Sequence, residues 1–128
     1  MKDEARVFRS LADETRLGML CLLLQHYELC VCDFVEVLEI SQSKASRHLR
    51  YLYNAGWVHD RREGSRMKYR LCVPPGVLGK KQLQVLSDVL ASHPGARALR
   101  GRLSRRLRKQ TPARGENEDQ TPRGQSGA

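Results

Sequence analysis

Two cysteines stand one residue apart in "ELCVCDFVEVLEI", residues 28–40, at Cys30 and Cys32. Thiolates are soft ligands and select thiophilic centres. A thiol near a helix N-terminus ionises more readily, which suits it to that task. The spacing sets a condition on any joint role. On a regular helix side chains two apart point about 200° away from each other. On extended backbone they point the same way, about 7 Å apart along the chain. A CxC disulfide would close a very small, strained ring, so both are read as thiols. The bland alternative is that both are small core residues, because free cysteine is often buried.

The pair must be positioned by what surrounds it. Val7, Phe8 and Leu11, then Leu17, Met19, Leu20, Leu23 and Leu24, recur at helical spacing interrupted at "ADETR", with Asp13 a plausible N-cap. Tyr27 to Leu29 reads as a connector, and a third helix runs through Phe34, Val35, Val37 and Leu38, with residues 30–33 in its first turn. "ISQS" is a short polar break. In "KASRHLRYLYNAG" Ala45, Leu49 and Leu52 make a narrow apolar stripe, Ser41 or Ser43 caps the start, and Asn54 or Gly56 ends the helix. Two short helices joined by a polar turn, the second basic and thinly apolar, make a helix-turn-helix. "WVHDRREGSRMKYRLCV" then changes to period two, with Gly64 at the turn. A basic-tipped hairpin directly after a recognition helix gives a winged helix-turn-helix, mainly α with a small β wing. A further helix carries Leu78, Leu83, Leu86, Val89 and Leu90, "SHPG" breaks it, and "ARALRGRLSRRLRK" spaces Leu99, Leu103 and Leu107 four apart.

Charge follows the same division. The chain of 128 residues carries a net +9, yet residues 1–40 hold eight acidic against four basic residues, and residues 41–70 hold eight basic against two acidic. A basic middle behind an acidic front is the mark of a phosphate-facing surface. At the start of the second helix of the motif, Gln42, Ser43, Lys44, Ser46 and Arg47 stand where side chains reach base edges. His48 either packs at the helix boundary or touches phosphate. Arg62, Arg66 and Lys68 on the wing face phosphates or the minor groove. Residues 97–109 hold seven basic residues and no acidic one; their leucines are read as packing on a partner subunit with the arginines exposed, against a rival reading as an interfacial helix. No stretch is long and apolar enough to span a membrane and no leader is evident, so a cytoplasmic protein without a membrane partner is expected. Residues 1–109 are read as one domain, and 110–128 as a disordered polar tail.

The stretches "LADETRL", "ELCVCD" and "SQSKASRHLRYLYNAGWVHDRREGSRMKYRL" together resemble the ArsR/SmtB family of metal-responsive repressors, over roughly residues 4 to 105. "ELCVCD" resembles the arsenic-responsive branch in particular. The resemblance implies a winged-helix homodimer, paired through its terminal helices, that represses on operator DNA until As(III) or Sb(III), acting as inducer, binds Cys30 and Cys32. It implies no structural cofactor. The family pattern often continues to a third thiol, where this chain has Val35. Cys72, at the end of the wing, is a candidate third ligand; Cys21 in the core-like "MLCLLL", a small-molecule thiol or water are the others. Because both sulfurs must share one side, metalloid binding is expected to unwind the first turn of the third helix and so shift the recognition helix.

Other readings remain at this level. A regulator of the same fold could sense Cd(II), Pb(II) or oxidation of the two thiols. Relatives that sense zinc or cobalt use clusters on the last helix, but Asp88 and His93 are five apart and ill-placed for one face. A small thiol enzyme would more usually carry CxxC, and no phosphate loop or acid/base constellation is found, so no enzyme is expected.

Overall fold

The structure, a computed structural model, describes residues 1–119, with side chains through residue 110. Helices α1 (Lys2–Leu11) and α2 (Glu14–Gln25) lead into a two-residue strand β1 (Leu29–Cys30). Then come α3 (Val31–Leu38), α4 (Gln42–Ala55), the hairpin β2 (Val58–Glu63) and β3 (Arg66–Leu71), and helices α5 (Val77–Ala91) and α6 (Pro94–Asp119). The helix-turn-helix is α3–α4 and the wing is β2–β3, as the sequence predicts. The sheet order is β1-β3-β2, all antiparallel. The domain boundary expected at residue 110 falls within α6, and residues 120–128 of the expected tail lie outside the described residues.

Local chemistry explains most element ends. Asp13 Oδ1 accepts from the Arg16 N–H at 3.0 Å and starts α2. Ser41 Oγ accepts from the Lys44 N–H at 3.1 Å and starts α4. Each such cap contributes about 1 kcal/mol. Gly56, at φ 94°, stops α4 in the left-handed region that glycine tolerates best, and Gly64, at φ 63°, turns the hairpin. Trp57 lies between α4 and β2. It is fully buried, and its Nε1 donates to Ser10 Oγ at 2.9 Å, which anchors the wing's root to α1.

The core lies between α2, α3, α4 and α6, around Leu20, Leu22, Phe34, Leu49, Leu52 and Leu103, all essentially inaccessible. Burying one such side chain contributes roughly 1.5–3 kcal/mol. The α6 stripe therefore differs from the expectation. Leu103 is enclosed by its own chain, and Leu99 and Leu107 pack against the same core. Nor are all the arginines between them simply exposed. Arg106 Nε donates to Asp33 Oδ1 at 2.7 Å, Arg102 donates to the Val37 carbonyl, and Arg100 reaches the Leu90 carbonyl at 3.1 Å. The stripe fits any apolar face, and the nearest one belongs to α2 and α3. Among the described residues no helix is long and apolar enough to cross a membrane.

Candidate functional site

Cys30 is the N-cap of α3, with extended backbone at φ −88° and ψ 165°. Cys32 is the second residue inside the helix. The cap's extended backbone turns its side chain toward that of Cys32, the two Cα atoms are 5.3 Å apart, and the sulfurs are joined in a disulfide. Two expectations are corrected here. The pair is bonded rather than free, and no helical turn need unwind to bring the sulfurs to one side. The reason is that α3 begins one residue later than expected. Cys30 also belongs to β1, which pairs Leu29 with Tyr69 and Cys30 with Lys68 on β3. The connector expected at Tyr27 to Leu29 thus ends in a strand that ties the cysteines to the wing. A bidentate pair between Glu28 and Arg61, both contacts 2.7 Å, strengthens that tie.

Asp33, 6% exposed, closes the site from behind. Its Oδ2 accepts from the Cys30 N–H at 2.9 Å, and its Oδ1 accepts from Arg106 of α6 at 2.7 Å. Among the described residues, one group of three or more His, Cys, Asp or Glu side chains has its ligand atoms within 4.8 Å of one another, and it is Cys30, Cys32 and Asp33. Two soft sulfurs on one side fit a thiophilic centre. The carboxylate beside them is a hard ligand with both oxygens already engaged.

Cys72 is not brought to the pair. Cys30 faces Lys68 on β3, and Cys72 lies four residues further on, roughly 13 Å at about 3.3 Å per residue. Its N–H is taken by the Trp57 carbonyl. Cys21 is buried against α6 with Sγ 3.9 Å from the Ala96 carbonyl, and burial pushes its thiol pKa up, more than Arg100 lowers it. Val35 packs against the core. Asp88 and His93 do not meet at a site: Asp88 accepts from Gln84, and His93 Nδ1 accepts from the Gly95 N–H.

The basic residues form a face around α4. Gln42, Ser43, Ser46, Arg47 and Arg50 share one exposed arc of the helix, and Lys44 borders it. Arg50 stands out only in the structure, where it lies one turn beyond Ser46 and faces the wing. A groove of about 540 Å³ runs between α4, the wing and the cysteines, lined by Cys30, Cys32, Ser46, Arg50, Arg62 and Arg66 among others. Lys68 differs from its wing neighbours, since its ammonium is 3.1 Å from Glu63.

His48 turns inward. Arg16 Nη1 donates to His48 Nδ1 at 3.1 Å, and Asp13 Oδ1 lies 3.9 Å away. Arg16 also donates to the carbonyls of Ser10 at 2.7 Å and Arg9 at 3.0 Å, and its guanidinium stacks 4.0 Å over the Tyr51 ring. Partial burial lowers the His48 pKa, and the nearby Arg16, Lys44 and Arg47 charges add to this against the pull of Asp13. His48 is therefore neutral near pH 7 and accepts from Arg16. Of the two roles the sequence leaves open for it, the packed one is what the geometry has. Asp13, in spite of partial burial, is held below the usual carboxylate range by the Arg16 N–H and the His48 and Arg16 charges.

Comparison with known proteins points the same way. A family model described as bacterial regulatory protein, arsR family, matches residues 13–60. The chain is 50% identical over 66 residues to the arsenical resistance operon repressor of Escherichia coli, covering 52% of this chain and 56% of that protein. It is 44% identical over 69 residues to a cadmium resistance transcriptional regulatory protein CadC homolog of Staphylococcus aureus, covering 54% of this chain and 57% of that protein. The chain thus spans a little over half the length of these curated relatives. Among solved structures, it matches a homodimeric winged helix-turn-helix DNA-binding domain from Mycobacterium bovis, a possible ArsR-family transcriptional regulator. That match has a TM-score of 0.57 and 31% identity, and covers 70% of this chain and 77% of that one.

Proposed function

The chain belongs to the ArsR family of bacterial regulatory proteins, and on that premise we propose that it is a metalloid-responsive transcriptional repressor. It binds operator DNA as a homodimer and lets go when As(III) or Sb(III) bonds to Cys30 and Cys32. The observation that carries the reading is that the two cysteines sit where β1, α3, the wing and the basic face of α4 meet. The E. coli relative is named an arsenical resistance repressor, which supports the choice of metalloid.

In this reading Gln42, Ser43, Ser46 and Arg47 read base edges, and Arg50, Arg62 and Arg66 meet phosphates. His48 acts from behind by fixing α4 on Arg16. Phe8 of α1 and Val85 and Val89 of α5, 52%, 49% and 57% exposed, are apolar side chains open to a second copy. The protein acts in the cytoplasm, whose reducing conditions open the Cys30–Cys32 disulfide to the thiols a metalloid needs, and no catalytic step is assigned to it. A metalloid bonded to both sulfurs ties the cap residue Cys30 to Cys32 in the first turn of α3. That displaces Cys30 from its pairing with Lys68 and from the Asp33 carboxylate. The ligand need only favour the DNA-free conformer by a few kcal/mol to empty the operator.

The second reading keeps the fold and changes the signal to Cd(II), Pb(II) or oxidation. The similarity to the cadmium regulator favours the metal version, and the bonded sulfurs favour the oxidative one. Fluorescence anisotropy on a duplex from the protein's own promoter separates them, with the reduced chain titrated by As(III), Sb(III), Cd(II) and Zn(II). Release by As(III) or Sb(III) that disappears in Cys30→Ser is expected. Release by cadmium alone, or by oxidant alone, moves the function to the second reading.

A further inference from the structure

The metalloid site proposed above has two sulfurs, whereas trivalent arsenic makes three bonds. We infer that the third ligand is the thiolate of a small, carboxylate-bearing thiol from solution. It sits in the groove between Cys32, α4 and the wing, held by Arg50, Arg62 and Arg66. The inference rests on the metalloid reading of the pair and adds the ligand that completes it.

The chain offers no third thiol. Cys72 lies about four β residues beyond the partner of Cys30, Cys21 is enclosed between α2 and α6, and Val35 is apolar. Asp33 is near enough, but its two oxygens serve the Cys30 N–H and Arg106. Cys32, in contrast, is exposed and borders the groove. Its volume of about 540 Å³ is in the range of pockets that hold small molecules.

Charge then selects the kind of thiol. Arg50, Arg62 and Arg66 face the groove together with one carboxylate, Asp60. Arg61 and Lys68, on the same wing, are neutralised by Glu28 and Glu63. Arg50, Arg62 and Arg66 take part in no ion pair among the described residues. Guanidinium groups left without a chain carboxylate suit an anionic guest, and each can grip a carboxylate with two N–H groups.

The chemistry balances without an outside oxidant. Arsenous acid, As(OH)3, reacts with Cys30–SH, Cys32–SH and RSH. Three As–O bonds give way to three As–S bonds, each thiol proton leaves in a water molecule, and arsenic stays trivalent. From the disulfide, two further RSH first reduce the pair to thiols and are themselves oxidised to RSSR. The finished adduct covers Arg50, Arg62 and Arg66, the charges the DNA reading assigns to phosphates. The inducer would then oppose DNA in the groove itself.

The test uses the full reduced chain without DNA, arsenite, and glutathione, a tripeptide thiol with two free carboxylates. Glutathione diethyl ester, which has the same thiol and no carboxylate, is the control. X-ray absorption at the arsenic edge should give two sulfurs and one oxygen with arsenite alone, and three sulfurs once glutathione is added. Native mass spectrometry should find one arsenic and one glutathione per chain. Half-saturation should need about fivefold less glutathione than ester, as expected for one or two exposed ion pairs, and high salt should shrink the difference. Arg62→Ala with Arg66→Ala should shrink that preference, with Arg50 left to hold the guest. Three sulfurs without added thiol, oxygen retained at saturating glutathione, or equal binding of glutathione and ester would each overturn the inference and leave the metalloid reading standing. A reduced chain that retains no arsenic would overturn both.

Discussion

Asp33 is where the cysteine site, the first turn of α3 and α6 share one side chain, so its replacement has a calculable cost. Asp33→Asn keeps the shape and one carbonyl acceptor but removes the charge. A hydrogen bond to a charged group is worth about 1.5–3 kcal/mol against about 1 kcal/mol for a neutral one, so the Cys30 N–H loses roughly 1 kcal/mol. Breaking a buried ion pair costs about 3–5 kcal/mol and an exposed one about 0–1 kcal/mol. The Arg106 side chain is 20% exposed and that of Asp33 9%, so the pair falls between those limits, at about 1–2 kcal/mol. Asp33→Asn should therefore destabilise by about 2–3 kcal/mol, and Asp33→Ala by about 1 kcal/mol more, through loss of the remaining acceptor. Arg106→Met should cost about 1–2 kcal/mol, and the double variant should recover about 1–2 kcal/mol of the summed cost. Urea unfolding at one fixed protein concentration reads these values, because association would otherwise contribute. A coupling below about 0.5 kcal/mol would mean that the carboxylate does not link α3 to α6.

Other perturbations act on separate parts. His48 holds its proton less tightly in the folded chain than at its ordinary value of 6.5, so the native state binds fewer protons than the unfolded one as pH falls. Stability should thus decline as pH drops below about 6.5, level off under the folded pKa, and lose that component in His48→Gln; an unchanged pH profile in the variant would remove His48 from the account. Arg62→Ala should weaken operator binding and lower the slope of log affinity against log salt by about 1, measured by anisotropy across salt concentrations. Ser41→Ala should cost about 1 kcal/mol in urea unfolding through loss of the α4 cap. Cys72→Ser and Cys21→Ser should leave arsenite-induced release intact, and loss of release in Cys72→Ser would return that residue to the site.

What the sequence discloses depends on how local the cause is. Ser41, Asp13, Gly56 and Gly64 act within a few residues, and each ends or starts the element that its chemistry predicts. The alternation across the wing and the apolar stripe of α4 are equally local. Strand β1 is not, because two residues carry no periodicity and Leu29 and Cys30 are extended only by pairing with Tyr69 and Lys68. The meeting of the sulfurs turns on a single residue. With Cys30 in the first turn they would diverge, and with Cys30 as an extended cap they converge. The bond between Arg106 and Asp33 spans 73 residues, and nothing in either neighbourhood announces the other. The leucines of α6 read clearly as a stripe, but a stripe does not name its partner, and the core of the same chain takes it.

Helix α4 is held from two sides, and this limits how a signal from the cysteines can reach it. Its inner side is fixed: Ala45, Leu49 and Leu52 are fully buried, and Arg16 binds His48 and Tyr51 while donating to the end of α1. Rotating α4 against that side would break a guanidinium network and expose core leucines, each worth roughly 1.5–3 kcal/mol. Its outer side has no such restraint, since Ser46 and Arg50 border an open groove shared with Cys30 and Cys32. A ligand on the sulfurs therefore meets the least resistance in that groove, where it changes the charge and space around Arg50, Arg62 and Arg66 without repacking the core. On this account Arg16→Lys should weaken operator binding with or without arsenite, because it loosens how α4 is seated. Arg50→Ala should weaken operator binding and also reduce the additional loss that arsenite causes, because the groove is where the two effects overlap. Equal arsenite sensitivity in Arg50→Ala and the parent chain would place the signal in the core instead.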